Sequence, residues 1–284
     1  GDKALLTLEL DETNSKILHT NVVDFYRINI ELILLVLFVT LLIIYAGWTG
    51  VKAVFSFGFT ALLIWKVLLP GFLKDFNPIF LSLGIVLALT GAIVFLVGGL
   101  NRKGLVAFLG AAAGVILTMS LSLLFGKLFR VHGAVKQFSG TLLYSGFAHI
   151  NLTQIFLSGI FLASSGAVMD IAMDVSASMR EVADKHPEIT PVELIKSGFS
   201  VGRAVVGTMT TTLLLAYSGG YTALLMVFMA QGTPTVNIFN LTYVSSEILH
   251  TLVGSFGLVT VAPFTALIGG LLQKKSEKEV DFSK

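Results

Sequence analysis

Two aspartates lie four residues apart in a stretch of sequence that is otherwise apolar enough to enter a bilayer. In the segment GAVMDIAMDVSASMREV, Asp170 and Asp174 share one face of a helix, because positions i and i+4 are neighbours there. Gly166 and Ser178 continue the same stripe. Measured from Arg180 at ~1.5 Å per residue, Asp174 lies ~9 Å and Asp170 ~15 Å farther into the membrane. An ionised carboxylate in mid-helix costs roughly 2.5–3.5 kcal/mol, so each must meet a cation, take up a proton or face water.

The next apolar segment, SGFSVGRAVVGTMTTTLLLAY, carries a cation that can balance these charges. The intervening HPEITP is a proline-punctuated turn, which predicts that the two segments form an antiparallel hairpin. Arg203 lies ~10 Å beyond Lys196 by the same helical rise, which brings it level with Asp174. Because Gly202 and Gly207 permit close approach of the helices, the sequence favours an Asp174–Arg203 pair.

Two interpretations of this polar hairpin are open. In the first, Asp170 is a protonatable site, Asp174 is its partner toward the cytoplasm and Arg203 is the counter-charge, beside a path lined by threonines. The threonines are Thr208, Thr210 and Thr211. In the second, a static ion pair fixes the helix register, the threonines bond back to their own helix carbonyls, and the glycines, including Gly166, serve only in packing. The first fits the aspartates better, since a static pair needs one carboxylate and the sequence has two. The threonines fit both.

Composition places the chain in a membrane and excludes several classes of site. Of its 284 residues, 55% are hydrophobic and 13% are charged, against about 25% charged in soluble domains. The net charge of +2 gives no sign of a nucleic-acid partner, and the absence of cysteine excludes disulfides, thiolate metal sites and cysteine nucleophiles. HExxH, P-loop and nucleotide-binding motifs are absent. We therefore expect no metal, no cofactor and no enzymatic activity.

Seven apolar segments are long enough to cross a hydrocarbon core of ~30 Å. They cover residues 28–48, 53–73, 78–100, 104–125, 152–179, 198–217 and 248–272. The apolar stretch 221–229 is too short to cross, and we expect it to be re-entrant or interfacial. The mixed stretch 127–150 is too polar to cross and includes a possible interfacial helix. The sequence therefore predicts an all-α polytopic membrane protein with the lipid bilayer as its surroundings.

The first residues have the pattern of a strand. ALLTLELDETNSK alternates apolar and polar residues before a polar turn, as the last strand of an extracytoplasmic domain would, although a frayed polar terminus fits equally well. We expect residues 1–27 to be the tail of an extracytoplasmic β-rich region, 28–273 the transmembrane helical domain and 274–284 a cytoplasmic basic tail.

The distribution of Lys and Arg favours one orientation. With the N-terminus outside, ten basic residues lie in the inner segments and seven in the outer ones. Since basic residues near the ends of spans favour the cytoplasmic side, we expect the N-terminus outside and the C-terminus in the cytoplasm.

Glu247 and His250 enter the last predicted span at i and i+3, in SSEILHTLVGS. A metal site needs more ligands than these two, so we expect an interfacial hydrogen bond between them.

The polar segments together resemble one family. SSGAVMDIAMDVSASMREV, SGFSVGRAVVGTMTTTLLLAYSGG and SSEILHTLVGSFGLVTVAPFTALIGGLL are similar to the YibE/F family of bacterial membrane proteins, and the strand-like opening is similar to its YibE-type members. The resemblance implies a multi-pass protein of the bacterial plasma membrane, with no established activity. It also implies a second copy of the chain or a YibF-like paralogue as partner.

A more distant resemblance concerns mechanism. An acidic helix ending in REV, followed by Arg203 and GTMTTT, is similar to the membrane repeats of SecD/SecF and RND transporters. There an arginine and a Ser/Thr cluster stand beside proton-relaying aspartates. The resemblance implies a proton- or ion-coupled transport or translocation subunit. The alternative is a non-transporting scaffold or receptor subunit, and an intramembrane hydrolase ranks below both.

Overall fold

The computed structural model describes residues 3–10 and 17–272. The chain divides into two compact units, residues 1–55 and 56–284. The predicted cytoplasmic tail, 274–284, lies outside the described residues.

The first unit contains a β-hairpin. Strand β1 (Ala4–Leu10) pairs antiparallel with β2 (Ile17–Phe25), and β2 ends next to the first helix. Arg27 donates two hydrogen bonds to the carboxylate of Asp24, of 2.6 and 2.8 Å, and these hold the pKa of that carboxyl below its usual value. The extracytoplasmic location of this region stays a prediction.

Helix α1 (Ile28–Leu63) begins in the first unit and is broken at Gly47. The backbone there has φ 55° and ψ −129°, a conformation that glycine adopts without strain and other residues rarely do. The turn brings Gly50 so close to the carbonyl of Leu42 that a Cβ would overlap it. A π-helical segment (Ile64–Leu68) and α2 (Leu69–Leu73) continue the helical stretch.

Seven further α-helices follow within the described residues. Five of them are long enough to cross a membrane, whereas α5 and α8 are short; the bounds are α3 (Pro78–Gly98), α4 (Arg102–Leu128), α5 (Ser139–Tyr144), α6 (Leu152–Lys185), α7 (Pro191–Ala230), α8 (Thr235–Asn240) and α9 (Thr242–Leu272). A short 3₁₀ turn (Gly133–Val135) precedes α5.

Helix α6 is the centre of the bundle. It packs against α3, α4, α7 and α9, and α9 also packs against α4 and α7. Small residues allow this close packing: Gly110 lies against Thr265, and Gly257 lies against Thr118. Close packing of this kind drives helix association in lipid, where burial of apolar surface does not.

The predicted count of seven spans is not confirmed. Over the described residues, six helical stretches are long and apolar enough to cross a membrane, because the first two predicted spans lie in one stretch, Ile28–Leu73. The break at Gly47 lies near the boundary between those two predictions.

The expectation that 221–229 is a segment separate from the preceding span is wrong, while an interfacial location stays a prediction. These residues are the last part of α7, a single helix of 40 residues. Each glycine of the pair Gly219–Gly220 weakens a helix by only about 1 kcal/mol, so the helix continues through them. It ends instead before Gly232, whose φ is 66°, and Pro234.

Gly133 should be intolerant of any side chain. A Cβ at this position would overlap the backbone of Leu152, which cannot move aside as a flexible side chain can. We predict that Gly133→Ala lowers the free energy of unfolding by about 1–3 kcal/mol, measured by SDS unfolding in mixed micelles. The matched control is Gly84→Ala in α3, where no described atom lies within 4 Å of the added Cβ. The control should be neutral or stabilising by up to about 1 kcal/mol, and an equal loss in both variants would contradict the prediction.

Candidate functional site

Asp170 and Asp174 lie on an exposed stripe of α6. The neighbouring Val168, Ile171 and Val175 are completely buried in the bundle. Within residues 3–10 and 17–272, neither carboxylate makes an ion pair within 4.0 Å or a hydrogen bond. The two acids therefore point away from the rest of the described chain.

A cross-helix hydrogen bond fixes the position of this part of α6 along α4. The hydroxyl of Ser176 donates to the carbonyl of Lys103 at 2.8 Å, near the start of α4. Farther along α6, Arg180 pairs with Asp184 at 3.0 Å on the surface. Asp174 is six residues, or ~9 Å, before Arg180 along α6, and Asp170 is about one turn farther from it.

Arg203 lies level with Asp174, but the predicted pair is not formed. Gly202 packs against Val175 and Ala262, which sets the depth of α7 relative to α6. Since successive residues are rotated by about 100° around a helix, the residues next to this contact face elsewhere. Arg203 is exposed, and no described acidic group lies within 4.0 Å of it.

Two of the threonines that were predicted to line a path form hydrogen bonds within their own helix. Thr208 donates to the carbonyl of Val205 at 3.0 Å, and Thr210 donates to that of Val206 at 3.0 Å. Thr211 is exposed. This is the pattern of the structural interpretation, while a role in a path stays a prediction.

The three glycines predicted to pack differ in their surroundings. Gly202 is buried, and a Cβ there would lie 2.7 Å from Cβ of Ala262. Gly166 and Gly207 are exposed, and no atom of the described chain lies within 4 Å of a Cβ built on either.

A second polar group lies near the start of α9. Glu247 accepts from Nζ of Lys136 at 3.3 Å, and its other oxygen lies 3.7 Å from Nδ1 of His250. The side chains of Glu247 and His250 are each only 12% exposed. The predicted Glu247–His250 hydrogen bond is replaced by an ion pair with Lys136, because 3.7 Å is too long for a hydrogen bond.

Aromatic rings complete this group. Tyr217 stacks on His250 with ring centroids 4.4 Å apart, and Nζ of Lys136 lies 5.9 Å from the ring centroid of Tyr221. The hydroxyl of Tyr217 and both ring nitrogens of His250 are buried without a hydrogen-bond partner in the described chain. We call Lys136, Tyr217, Tyr221, Glu247 and His250 the Glu247 cluster.

The cluster adjoins a cavity of about 570 Å³. Its walls are the segment from Gly133 to Ser145, the first two turns of α6 and His250 of α9. Most of the lining surface is apolar, although six polar side chains contribute to it, and of these Lys136 and His250 are the charged or titratable ones. This composition is typical of a ligand site, in which few polar groups orient a largely apolar molecule.

Sequence reasoning missed three members of the cluster. Lys136 lies 111 residues before Glu247, and no local spacing connects them. The sequence placed Tyr217 and Tyr221 in separate segments, because a break was expected between them. Their i, i+4 spacing could have indicated that they share one helix face.

The structure brings no larger set of ligating groups together. Over the described residues, no group of three or more His, Cys, Asp or Glu side chains is placed to hold a metal ion.

Comparison with known proteins gives one match. A family model described as YibE/F-like protein matches residues 34–275. No curated protein and no solved structure matches the chain. The resemblance to SecD/SecF and RND transporters therefore has no support from these comparisons.

The Lys136–Glu247 pair should be worth more than a surface pair, because Glu247 is held away from water. We predict a coupling energy of about 1–3 kcal/mol from a double-mutant cycle with Lys136→Gln and Glu247→Gln, measured by SDS unfolding in mixed micelles. The matched control is the Glu181–Lys185 pair, whose side chains are 67% and 69% exposed. Its cycle should give about 0.5 kcal/mol or less, and equal coupling in the two cycles would contradict the prediction.

Proposed function

The chain belongs to the YibE/F-like protein family, and we propose that it is a proton- or ion-coupled transport or translocation subunit of a membrane. The observation that carries the proposal is the exposure of two carboxylates, Asp170 and Asp174, on one stripe of a helix long enough to cross a bilayer. Acidic groups inside membrane spans typically belong to proton or ion pathways.

The exposed stripe indicates that this pathway is completed by another protein. A carboxylate that faced lipid tails would be costly, whereas one that faces a protein interface or a hydrated groove is not. Asp170 and Asp174 have no partner within the described chain, so we propose that a second membrane subunit covers them. That subunit is either another copy of this chain or a YibF-like paralogue.

Each polar residue then has a role. Asp170, the deeper acid, takes up and releases the proton, and Asp174 passes it to the nearby charged end of the bundle. Arg203 lies at the level of Asp174 and supplies counter-charge across the completed interface rather than within one chain. Thr208, Thr210 and Thr211 line the α7 side of that interface.

The proposed setting is the bacterial plasma membrane, with the N-terminus outside and the C-terminus in the cytoplasm, as the distribution of basic residues favours. We propose no enzymatic activity, since the polar groups support proton binding rather than a nucleophile with its base.

A non-transporting scaffold or receptor subunit is the second candidate. Its support is the bonding of Thr208 and Thr210 to carbonyls of their own helix, which leaves those hydroxyls no need of a transported ion. In that case the acidic stripe only holds a partner.

Proton flux separates the two candidates. We predict that Asp170→Asn lowers flux into proteoliposomes under an imposed pH gradient by roughly tenfold or more, because an amide does not exchange a proton in this range. The matched control is Asp184→Asn, which removes an exposed acid at the end of the same helix and should retain the flux. Equal flux in wild type and Asp170→Asn would contradict the role of Asp170, and no flux in any of the three would favour the scaffold.

Cross-linking tests whether another subunit covers the acidic stripe. The 284 residues contain no cysteine, so an introduced thiol is the only one present in this chain. We predict that Gly166→Cys, on the stripe, gives a cross-linked membrane complex in most of the protein after oxidation or treatment with a short bifunctional thiol reagent. Gly84→Cys, exposed on α3, should cross-link far less. A homodimer would identify a second copy, a heterodimer would identify a paralogue, and equal yields at the two positions would contradict the proposed interface.

A further inference from the structure

We propose that the cavity beside the Glu247 cluster binds an amphiphile with an anionic head group and an acyl chain. The site is separate from the acidic stripe, and the proposal does not rest on the transport function. It rests on the charge of the cavity lining, on unpartnered buried polar atoms and on a strained aromatic residue at the cavity wall.

The lining presents an ammonium group to a head group, although the charge of that group is shared with Glu247. Lys136 is the formally charged side chain among the described residues that line the cavity, and no acidic side chain lines it. Glu247 stands behind Lys136, where it holds the ammonium group in place at 3.3 Å. An ammonium group has three N–H donors, so donors remain for a head group after this bond.

His250 supplies a second recognition group. It lines the cavity, and both of its ring nitrogens are buried without a hydrogen-bond partner in the described chain. In either tautomer one nitrogen carries a proton, and a buried donor without an acceptor is destabilising. Neither nitrogen is open to the cavity as the ring lies, so a carboxylate or phosphate oxygen in the cavity would satisfy that donor after the ring turns to expose it.

The rest of the wall fits an acyl chain. It is formed mainly by the apolar side chains Phe138, Leu142, Leu152, Ile155 and Phe156. The volume of about 570 Å³ is within the range of ~300–1,000 Å³ that is usual for a single small ligand. An ion alone would leave most of this apolar surface uncovered.

Phe138 shows that the cavity wall is strained. Its backbone has φ 64° and ψ 3°, in the left-handed region, and the residue as a whole is 76% exposed. A bulky residue is strained in this conformation, and such strain concentrates at ligand sites. An acyl chain packed against the exposed ring would offset that cost.

Gly159 offers a variant that fills the cavity without a clash. It lines the cavity, and no described atom lies within 4 Å of a Cβ built on it. Gly159→Leu therefore places a side chain in open space, and it removes volume while leaving Lys136 and His250 in place. Gly84→Leu is the matched control, since it makes the same substitution at an open helical position away from the cavity.

The experiment titrates the detergent-solubilised chain with dodecanoate and with 1-dodecanol and follows bound ligand by native mass spectrometry. We expect one dodecanoate per chain, with 1-dodecanol about tenfold weaker or more because it lacks the charge. Gly159→Leu and Lys136→Gln should each weaken dodecanoate binding by about tenfold or more, whereas Gly84→Leu and Lys127→Gln should leave it within about twofold. Circular dichroism and elution volume establish that each variant is folded.

A second arm identifies the source of the amphiphile. The chain is extracted from nanodiscs of mixed phosphatidylglycerol and phosphatidylcholine, and the retained lipid is identified. Retention of phosphatidylglycerol that is lost in Gly159→Leu supports an anionic bilayer lipid as ligand, while dodecanoate binding without such retention supports a free single-chain ligand. Equal affinity for dodecanoate and dodecanol, or equal binding by Gly159→Leu and Gly84→Leu, would overturn the proposal.

Discussion

The interior of a bilayer offers no hydrogen bonds, and this constraint governs how the polar side chains of the bundle are arranged. Hydroxyl groups meet it locally: Thr118 donates to the carbonyl of Gly114 and Thr265 to that of Val261, both at 2.8 Å. Because these hydroxyls need no partner on another helix, their side chains can lie against glycines, as Thr265 does against Gly110. Hydrogen bonding within each helix therefore permits the close packing of helices around α6.

The carbonyl groups of a helix cannot neutralise a charged side chain on it. The charged groups of the bundle are found in two different arrangements. Glu247 is mostly buried, where Lys136 pairs with it and the ring of Tyr221 lies close to the ammonium group of Lys136. Asp170 and Asp174 are left on the outer surface of α6 with no described partner. The half-buried pair is matched within one chain, whereas the exposed acids are costly in a bilayer unless they face water or protein.

The sequence predicted the helical bundle and the level of Asp174 with Arg203, because helical rise and apolar length depend only on local residue types. It did not predict which way these side chains face, since a rotation of about 100° per residue separates a packed position from an exposed one. Val175 and Gly202, small and apolar, occupy the α6–α7 contact, and their charged neighbours are turned away. The contact between Lys136 and Glu247 could not be predicted for another reason. It depends on a fold that brings together two residues 111 positions apart in the sequence.

The uninterrupted course of α7 has a mechanical consequence. One helix carries Arg203, level with Asp174, and also Tyr217, stacked on His250 beside the cavity. The two positions are 14 residues apart, or ~21 Å along a continuous helix.

If 221–229 were a separate re-entrant segment, Tyr221 could move independently of Arg203. In a single helix, any tilt or shift that moves the tyrosines against His250 also moves Arg203 relative to α6, as in the sliding of packed helices by which proteins transmit small displacements. An occupant of the cavity and a partner on the acidic stripe would therefore act on the same rigid element from different levels.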